Sequence, residues 1–427
     1  MFETIRNAWK IVDLRKKLIY TFILLLIFRL GSCIPVPFLD PEAMKQLFTG
    51  TDNSMFGFLN LMSGGAFANA TIFAMSITPY INSSIIMQLL CVAIPALERM
   101  QKEGEDGRKK IAQLMRYGTV VLALIQAVGL YFLLKSMSAV SNPGWTTAIV
   151  VITTFTAGTA FLMWLGEQIT EKGVGNGISL IIFAGIVSRL PNLAVTMWEY
   201  VSNGSLNWLG ALAILVLAVV VIGVVVAMNE AERRIPVQYA KRMVGRKMYG
   251  GQSTHIPIKV SGAGVIPIIF AMSIMSFPGT IASFFGVQAG QPGFWGGFLK
   301  VFSSDSWVYA ILYFLLILFF TYFYTAIQFN PIEMSNNMKK NGGFIPGIRP
   351  GRPTSDYISK VLSRVTLAGA VFLGIIAVLP IFMNLGLHIS NLAIGGTSIL
   401  IVVGVALETV KDLESQMLMR HYKGFLE

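Results

Sequence analysis

Ten long apolar stretches alternate with polar loops along the chain, at 18–36, 72–95, 113–134, 147–166, 178–196, 208–229, 262–280, 307–328, 362–384 and 392–410. Each can cross a bilayer core of about 30 Å, which takes roughly 20 helical residues. In hydrocarbon every backbone N–H and C=O must be paired within the segment, so the pattern predicts ten transmembrane α-helices. Residues 2–17, FETIRNAWKIVDLRKK, are amphipathic and charged. They predict an interfacial helix leading into the first span rather than a cleavable signal peptide. The stretch 55–70, MFGFLNLMSGGAFANA, is apolar but too short and too glycine-broken to span. It fits either an interfacial segment or a re-entrant piece folded into a cavity, since irregular backbone at membrane depth survives only where protein or water lines it.

Charge orients this zigzag. Threading the spans alternately puts 28 of the 33 Lys and Arg residues on one side. Only Lys45, Lys135, Arg189 and Lys300 fall on the other, and Arg29 lies inside the first span. Basic loops stay in the cytosol, so both termini are expected there. Ten spans divide as five plus five. An odd number per half inverts the second half relative to the first, an arrangement that places a functional site between the halves. The expected organisation is therefore an amphipathic N-terminal helix at 1–17, an N-terminal half at 18–190, a hinge loop at 191–207, a C-terminal half at 208–410 and a cytosolic tail at 411–427.

Composition agrees with a membrane protein. Hydrophobic residues make up 54%, charged residues 13%, and the mean hydropathy is +0.67, whereas a soluble domain carries about 25% charge. The net charge of +12 fits the topological bias. Its concentration in two long cytosolic loops, 230–261 and 329–361, leaves contact with an acidic partner open. In the first loop, VQYAKR at 237–242 and HIPIKV at 255–260 predict the strands of a β-hairpin. In the second, KKNGGFIPGIRPGRP at 339–353 predicts a rigid, irregular turn presenting Arg349 and Arg352.

Several chemistries lack their residues. Every Asp and Glu falls in a loop or at a span end, and His255, His388 and His421 lie outside the spans. A coupled secondary transporter would place an ionisable group at the midplane, and an intramembrane enzyme would need paired Asp, a His cluster or a Ser–His pair at depth. No Walker phosphate loop occurs. Gly173-Val-Gly-Asn-Gly177 reads as a turn capping the fifth span, with Asn176 starting its helix. Cys33 and Cys91 form neither a disulfide framework nor a metal spacing. The second span carries Pro79, expected to kink it, with Asn82, Ser83, Ser84 and Gln88. The seventh repeats the recipe with Pro267, Ser273 and Ser276. These polar groups suit either helix–helix contacts or a seam that can open.

Across nearly its whole length the sequence resembles the SecY family of protein-conducting channels. The resemblance rests on Phe28-Arg-Leu-Gly-Ser32, Ser63-Gly-Gly65, Pro79-Tyr80, Tyr117-Gly-Thr119, Trp164-Leu-Gly-Glu-Gln-Ile-Thr170, Gly175-Asn-Gly-Ile-Ser179, Tyr239-Ala-Lys-Arg242, Gln252-Ser-Thr-His255, Pro346-Gly-Ile-Arg-Pro-Gly351 and Gly395-Gly-Thr-Ser398. It implies an all-α membrane protein of ten transmembrane helices, in two inverted five-helix halves that form an hourglass pore with a re-entrant plug. The implied waist is a ring of Ile77, Ile81, Ile182, Ile186, Ile269 and Ile401. A tight apolar ring sheds water and blocks ions without gripping a passing chain. The implied plug includes Phe56, Gly57, Leu59, Met62, Gly64 and Gly65. The implied lateral gate uses Ser83, Ser84, Gln88, Ser273 and Ser276. Arg233, Arg234, Lys241, Arg242, Arg246, Lys247 and Arg349 would dock a motor or ribosome. The family also implies SecE and SecG subunits, the SecA motor ATPase or a translating ribosome, an unfolded polypeptide with a signal sequence, and membrane lipid at the gate. By that resemblance the chain sits in the bacterial plasma membrane, makes and breaks no bonds, and needs no cofactor.

Overall fold

The computed structural model describes residues 2–40, 42, 60, 63–136, 138–204, 207–239, 242–244, 247–249, 253–284, 296, 297, 299, 302, 306–387 and 396–423. A helix occupies each of the ten apolar stretches. The first five stretches hold α2 (Val12–Gly31), α3 (Thr78–Ala93), α5 (Glu105–Ser136), α6 (Trp145–Lys172), and the pair α7 (Gly177–Val187) and α8 (Leu190–Ser202). The last five hold α9 (Trp208–Glu230), α10 (Ile266–Phe284), α11 (Trp307–Gln328), α13 (Arg352–Leu387) and α14 (Gly396–Lys423). α1 (Phe2–Lys10), α4 (Pro95–Lys102) and α12 (Pro331–Lys340) lie between or before them.

Among the described residues, length and apolarity alone qualify six membrane-crossing helices, and a seventh if α3 and α4 are read as one bent span. α2 misses that standard because Arg15, Lys16, Lys17 and Arg29 sit at its two ends. α3 is short for a visible reason. Residues 63–70 and 72–77 are turns, with Thr71 bridged to Pro35 between them, and the helix begins only at Thr78, with Pro79 in its first turn. The expected kink at Pro79 is thus replaced by a helix start, where a missing N–H costs no hydrogen bond. At the other end Ile94 precedes Pro95 and takes an extended conformation (φ −109°, ψ 111°). Clash with the proline ring disfavours the helical alternative there, and α4 leaves at 102° to α3.

The long loops build a module of their own. β1 (Glu232–Tyr239) pairs antiparallel with β4 (Ser253–Lys259), with Pro236 opposite His255 and Val237 opposite Thr254. The sequence predicts a hairpin here with strands at 237–242 and 255–260; the first strand instead starts at Glu232 and ends at Tyr239, and Arg242 belongs to β2 (Arg242–Val244). Between β1 and β4, β2 and β3 (Lys247–Tyr249) form a smaller hairpin. The second loop is more ordered than an irregular turn. It contributes α12, capped by the Asn330 side chain, and β5 (Gly343–Phe344), which joins β1 on its other edge. The burial pattern of β1 alternates, which turns Ile235 and Val237 inward. They pack with Ile258, Met338, Ile345 and Ile358 as a satellite core. Ile358 belongs to α13, whose 36 residues span about 54 Å at 1.5 Å each, well beyond a bilayer core. The module is therefore mounted on a rigid extension of a spanning helix.

Candidate functional site

The six isoleucines of the expected waist come from four helices. Ile77 is the N-cap residue of α3 and Ile81 lies in its first turn. Ile182 and Ile186 come from α7, Ile269 from α10 and Ile401 from α14. All six belong to one buried cluster, and none is more than 9% exposed. Residues four apart share a helix face, so α3 and α7 each contribute a vertical pair, while α10 and α14 contribute one side chain each.

Local chemistry fixes each of these helices. Asn176 is the N-cap of α7, and its side chain accepts from the N–H groups of Ile178 and Ser179 at 3.1 and 3.3 Å. This satisfies donors that the first helical turn leaves open. Gly177 lets α7 press against α6: a Cβ there would stand 2.0 Å from the Gly166 carbonyl oxygen. One turn beyond Ile182, Gly185 is met by the 63–77 segment. Gly64 has φ +64°, and a Cβ on it would lie 2.9 Å from the Gly185 Cα. The Gly64 carbonyl in turn accepts from Arg29 Nη1 at 3.2 Å. Sequence reading noted Arg29 only as a charge inside the first span. Its partner lies 35 residues away and carries no local signal.

Of the predicted plug residues, Gly64 and Gly65 lie in this turn segment, and Phe56, Gly57, Leu59 and Met62 fall outside the described residues. Asn60 organises the start of the turn. Its side-chain oxygen accepts from the Ala68 N–H at 3.1 Å, and its carbonyl from the Gly65 N–H at 2.9 Å.

α3 and α5 both pack against α10, so one junction between the first and last five spans runs along these helices. The predicted gate residues take different positions on it. Ser83 is buried and donates to the Met115 carbonyl of α5 at 2.9 Å, within the first five spans. Gln88 donates to Ser84 at 3.4 Å along α3. Ser276 donates to the Ser273 carbonyl at 2.9 Å along α10. The Ser273 hydroxyl itself is buried without a hydrogen-bond partner among the described residues.

The basic residues sit on the loop module. Arg233 and Arg234 are exposed on β1, Arg234 paired to Glu232 at 2.6 Å. Arg349 is exposed on the turn before α13, and its carbonyl accepts from the Thr354 hydroxyl at 2.9 Å. The Ser335 hydroxyl holds the Gly351 carbonyl of the same turn at 2.8 Å. Arg242 and Lys247 fall on β2 and β3, and Lys241 and Arg246 lie outside the described residues. An ion pair unassigned by sequence reading, Arg116 to Glu167 at 2.7 Å, joins α5 to α6.

A bundle of long apolar helices of this kind has the fold of protein-conducting channels. A solved protein-conducting channel matches it with a TM-score of 0.68 at 19% identity, over 95% of this chain and 93% of that one. The Sec61 structure from a canine ribosome–channel complex matches at 0.66 and 19% identity, with the same coverage. The family model named SecY matches residues 71–410. The protein translocase subunit SecY of Halalkalibacterium halodurans is 47% identical over the full length of both chains, and that of Mycobacterium tuberculosis 43% identical, again over both full lengths. The chain belongs to the SecY family.

Proposed function

We propose that this chain is the pore subunit of a protein translocase in the bacterial plasma membrane. It passes unfolded secretory polypeptides across the bilayer and releases membrane segments sideways into lipid. The observation that carries this reading is the convergence of six isoleucines from four helices in one buried cluster. Such a collar can seal against ions and water yet offers no hydrogen-bonding group to hold a polypeptide. Full-length relatives named as translocase subunits support it. The turn around Gly64, held by Arg29 on α2 and seated against Gly185 on α7, belongs on this reading to the 55–70 plug. The junction of α3 and α5 with α10 is the lateral gate.

The work of translocation comes from outside, since the family's members are channel subunits. The basic module built from β1–β5, α12 and the head of α13 is the docking platform on the cytosolic face, where both termini also lie. Arg233, Arg234 and Arg349 would meet SecA or the phosphates of ribosomal RNA there. SecE and SecG complete the membrane complex.

The test is crosslinking from Ile81→Cys, with Cys33 and Cys91 replaced, to single cysteines placed along a stalled secretory chain in membranes containing the motor. Crosslinks should march along the chain as it advances. Normal export with no crosslink at residue 81 would put the path elsewhere and sink the pore assignment.

A further inference from the structure

The helical path of α7 continues past the collar. The Ser188 N–H donates to the Ala184 carbonyl, and the Arg189 N–H to the Ile186 carbonyl at 3.1 Å. Ser188 and Arg189 both keep right-handed helical angles, φ −63°, ψ −16° and φ −91°, ψ −13°. Arg189 stands seven residues past Ile182 and three past Ile186. On helical backbone those spacings fall on one face. Arg189 therefore extends the stripe that carries the collar pair, about one turn beyond it. With the chain oriented by its basic loops, that turn lies on the outer side.

A cation at this place is out of keeping with the charge pattern of the chain. The alternating thread leaves only four Lys and Arg residues on the outer side, with Arg29 inside the first span. Arg189 is half-buried, yet its side chain makes no ion pair and no hydrogen bond among the described residues. Arg29, by contrast, is engaged by the Gly64 carbonyl at 3.2 Å. The Gly64 turn lies close by: a Cβ on Gly64 would stand 3.1 Å from the hydroxyl of Ser188, the residue before Arg189. A guanidinium stays charged at any working pH. Beside low-dielectric walls an uncompensated charge acts more strongly than in bulk water.

We infer that Arg189 is a charge filter at the outer exit of the collar. A polypeptide leaving the constriction passes this face of α7. Neutral and acidic stretches go by, and stretches rich in Lys and Arg are held back. Arg189 is then a specificity-determining residue for translocation. It reads the charge of the emerging chain, which an aliphatic collar does not. The same repulsion keeps the basic flank of a membrane segment from following that segment outward, so the flank stays in the cytosol. The inference rests on the translocase reading above.

The experiment uses the full complex in reconstituted membranes with the motor and ATP present. Three secretory precursors differ only in one stretch of the mature chain, which carries a run of Lys, of Asp or of Ser. Export of each is followed by its protection from added protease, and the Lys and Asp rates are divided by the Ser rate. In the parent complex the Lys precursor should be the slowest. Arg189→Glu should raise the Lys-to-Asp ratio about tenfold, and Arg189→Gln should fall between. Arg189→Lys, which keeps the charge, should keep the parent's ratio.

A ratio that stays at the parent's value in both Arg189→Gln and Arg189→Glu would overturn the filter and leave the translocase reading intact. That is the result expected of an arginine that only anchors the span end at the lipid headgroups. If Arg189→Glu does not assemble, the Gln variant decides alone. Salt adds a readout that a merely structural role would not move: in the parent the Lys and Asp rates should converge at about 1 M salt, where charges are screened beyond about 3 Å. Rates that salt leaves apart would place the discrimination away from Arg189. No export of the Ser precursor by the parent complex would overturn the translocase reading and the filter with it.

Discussion

The two junctions between the first and last five spans differ in their polar chemistry. Where α3 and α5 meet α10, polar side chains bond along their own half: Ser83 to Met115, Gln88 to Ser84, Ser276 to Ser273. Where α7 meets α14, a charge-assisted bond crosses directly from Gly175 to Asp412. In a membrane, lipid tails are as apolar as the helices, so aliphatic contact alone gives little preference for helix over lipid. On the translocase reading proposed above, the α3–α10 junction is the one that lipid and a passing segment would replace.

The largest change should come from the collar between the junctions. Ile81→Gly with Ile182→Gly removes two buried side chains of the cluster, and should raise resting conductance at least about tenfold, since the constriction no longer excludes water. An unchanged single-channel record would remove these residues from the seal. Next comes the tight side. Gly177→Ala would push a Cβ to 2.0 Å from the Gly166 carbonyl. Overpacking of that kind costs about 3 kcal/mol, so the variant should lose detergent-solution thermal stability, and a melting temperature equal to the parent's would show that α6 and α7 can part freely.

Two smaller substitutions address the loose side. Ser273→Ala deletes a buried hydroxyl that has no partner among the described residues. Removing such a group stabilises the closed junction by about 1 kcal/mol, which should slow initiation of export about fivefold without changing the collar's conductance. Faster export would mean that the hydroxyl is bonded across the junction in the resting state. Ser83→Ala loses one bond to Met115. Intramembrane bonds of this kind average about 0.6 kcal/mol, so thermal stability should fall only slightly and export should stay near native. A large export defect would place Ser83 in the moving junction instead of inside the first five spans.

Local signals made much of this legible in advance. Apolar runs marked all ten helices, because each must satisfy its own backbone in lipid. Asn176 announced the start of α7, since a short side chain with an oxygen is what an open helical turn recruits. The runs 237–242 and 255–260 announced a hairpin, although its strands lie at Glu232–Tyr239 and Ser253–Lys259. Pro79 misled, because the sequence could not show that residues 72–77 are turns and that the proline therefore opens a helix instead of bending one. The strand β5 was invisible: two residues, Gly343 and Phe344, carry no period, and only β1's open edge makes them a strand.

The sequence by itself marked which segments form the long apolar helices, because hydropathy acts on each segment separately. Family motifs supplied the identities of the six isoleucines. Their meeting in one cluster was decided only by the tertiary structure, which alone sets the packing of α3, α7, α10 and α14. The same holds for Arg29 reaching Gly64 and for Asp412 gripping Gly175 across 237 residues of chain. A hydrogen bond between residues that far apart leaves no periodicity or spacing to read. It exists because two helices dock, and docking is a property of the whole bundle.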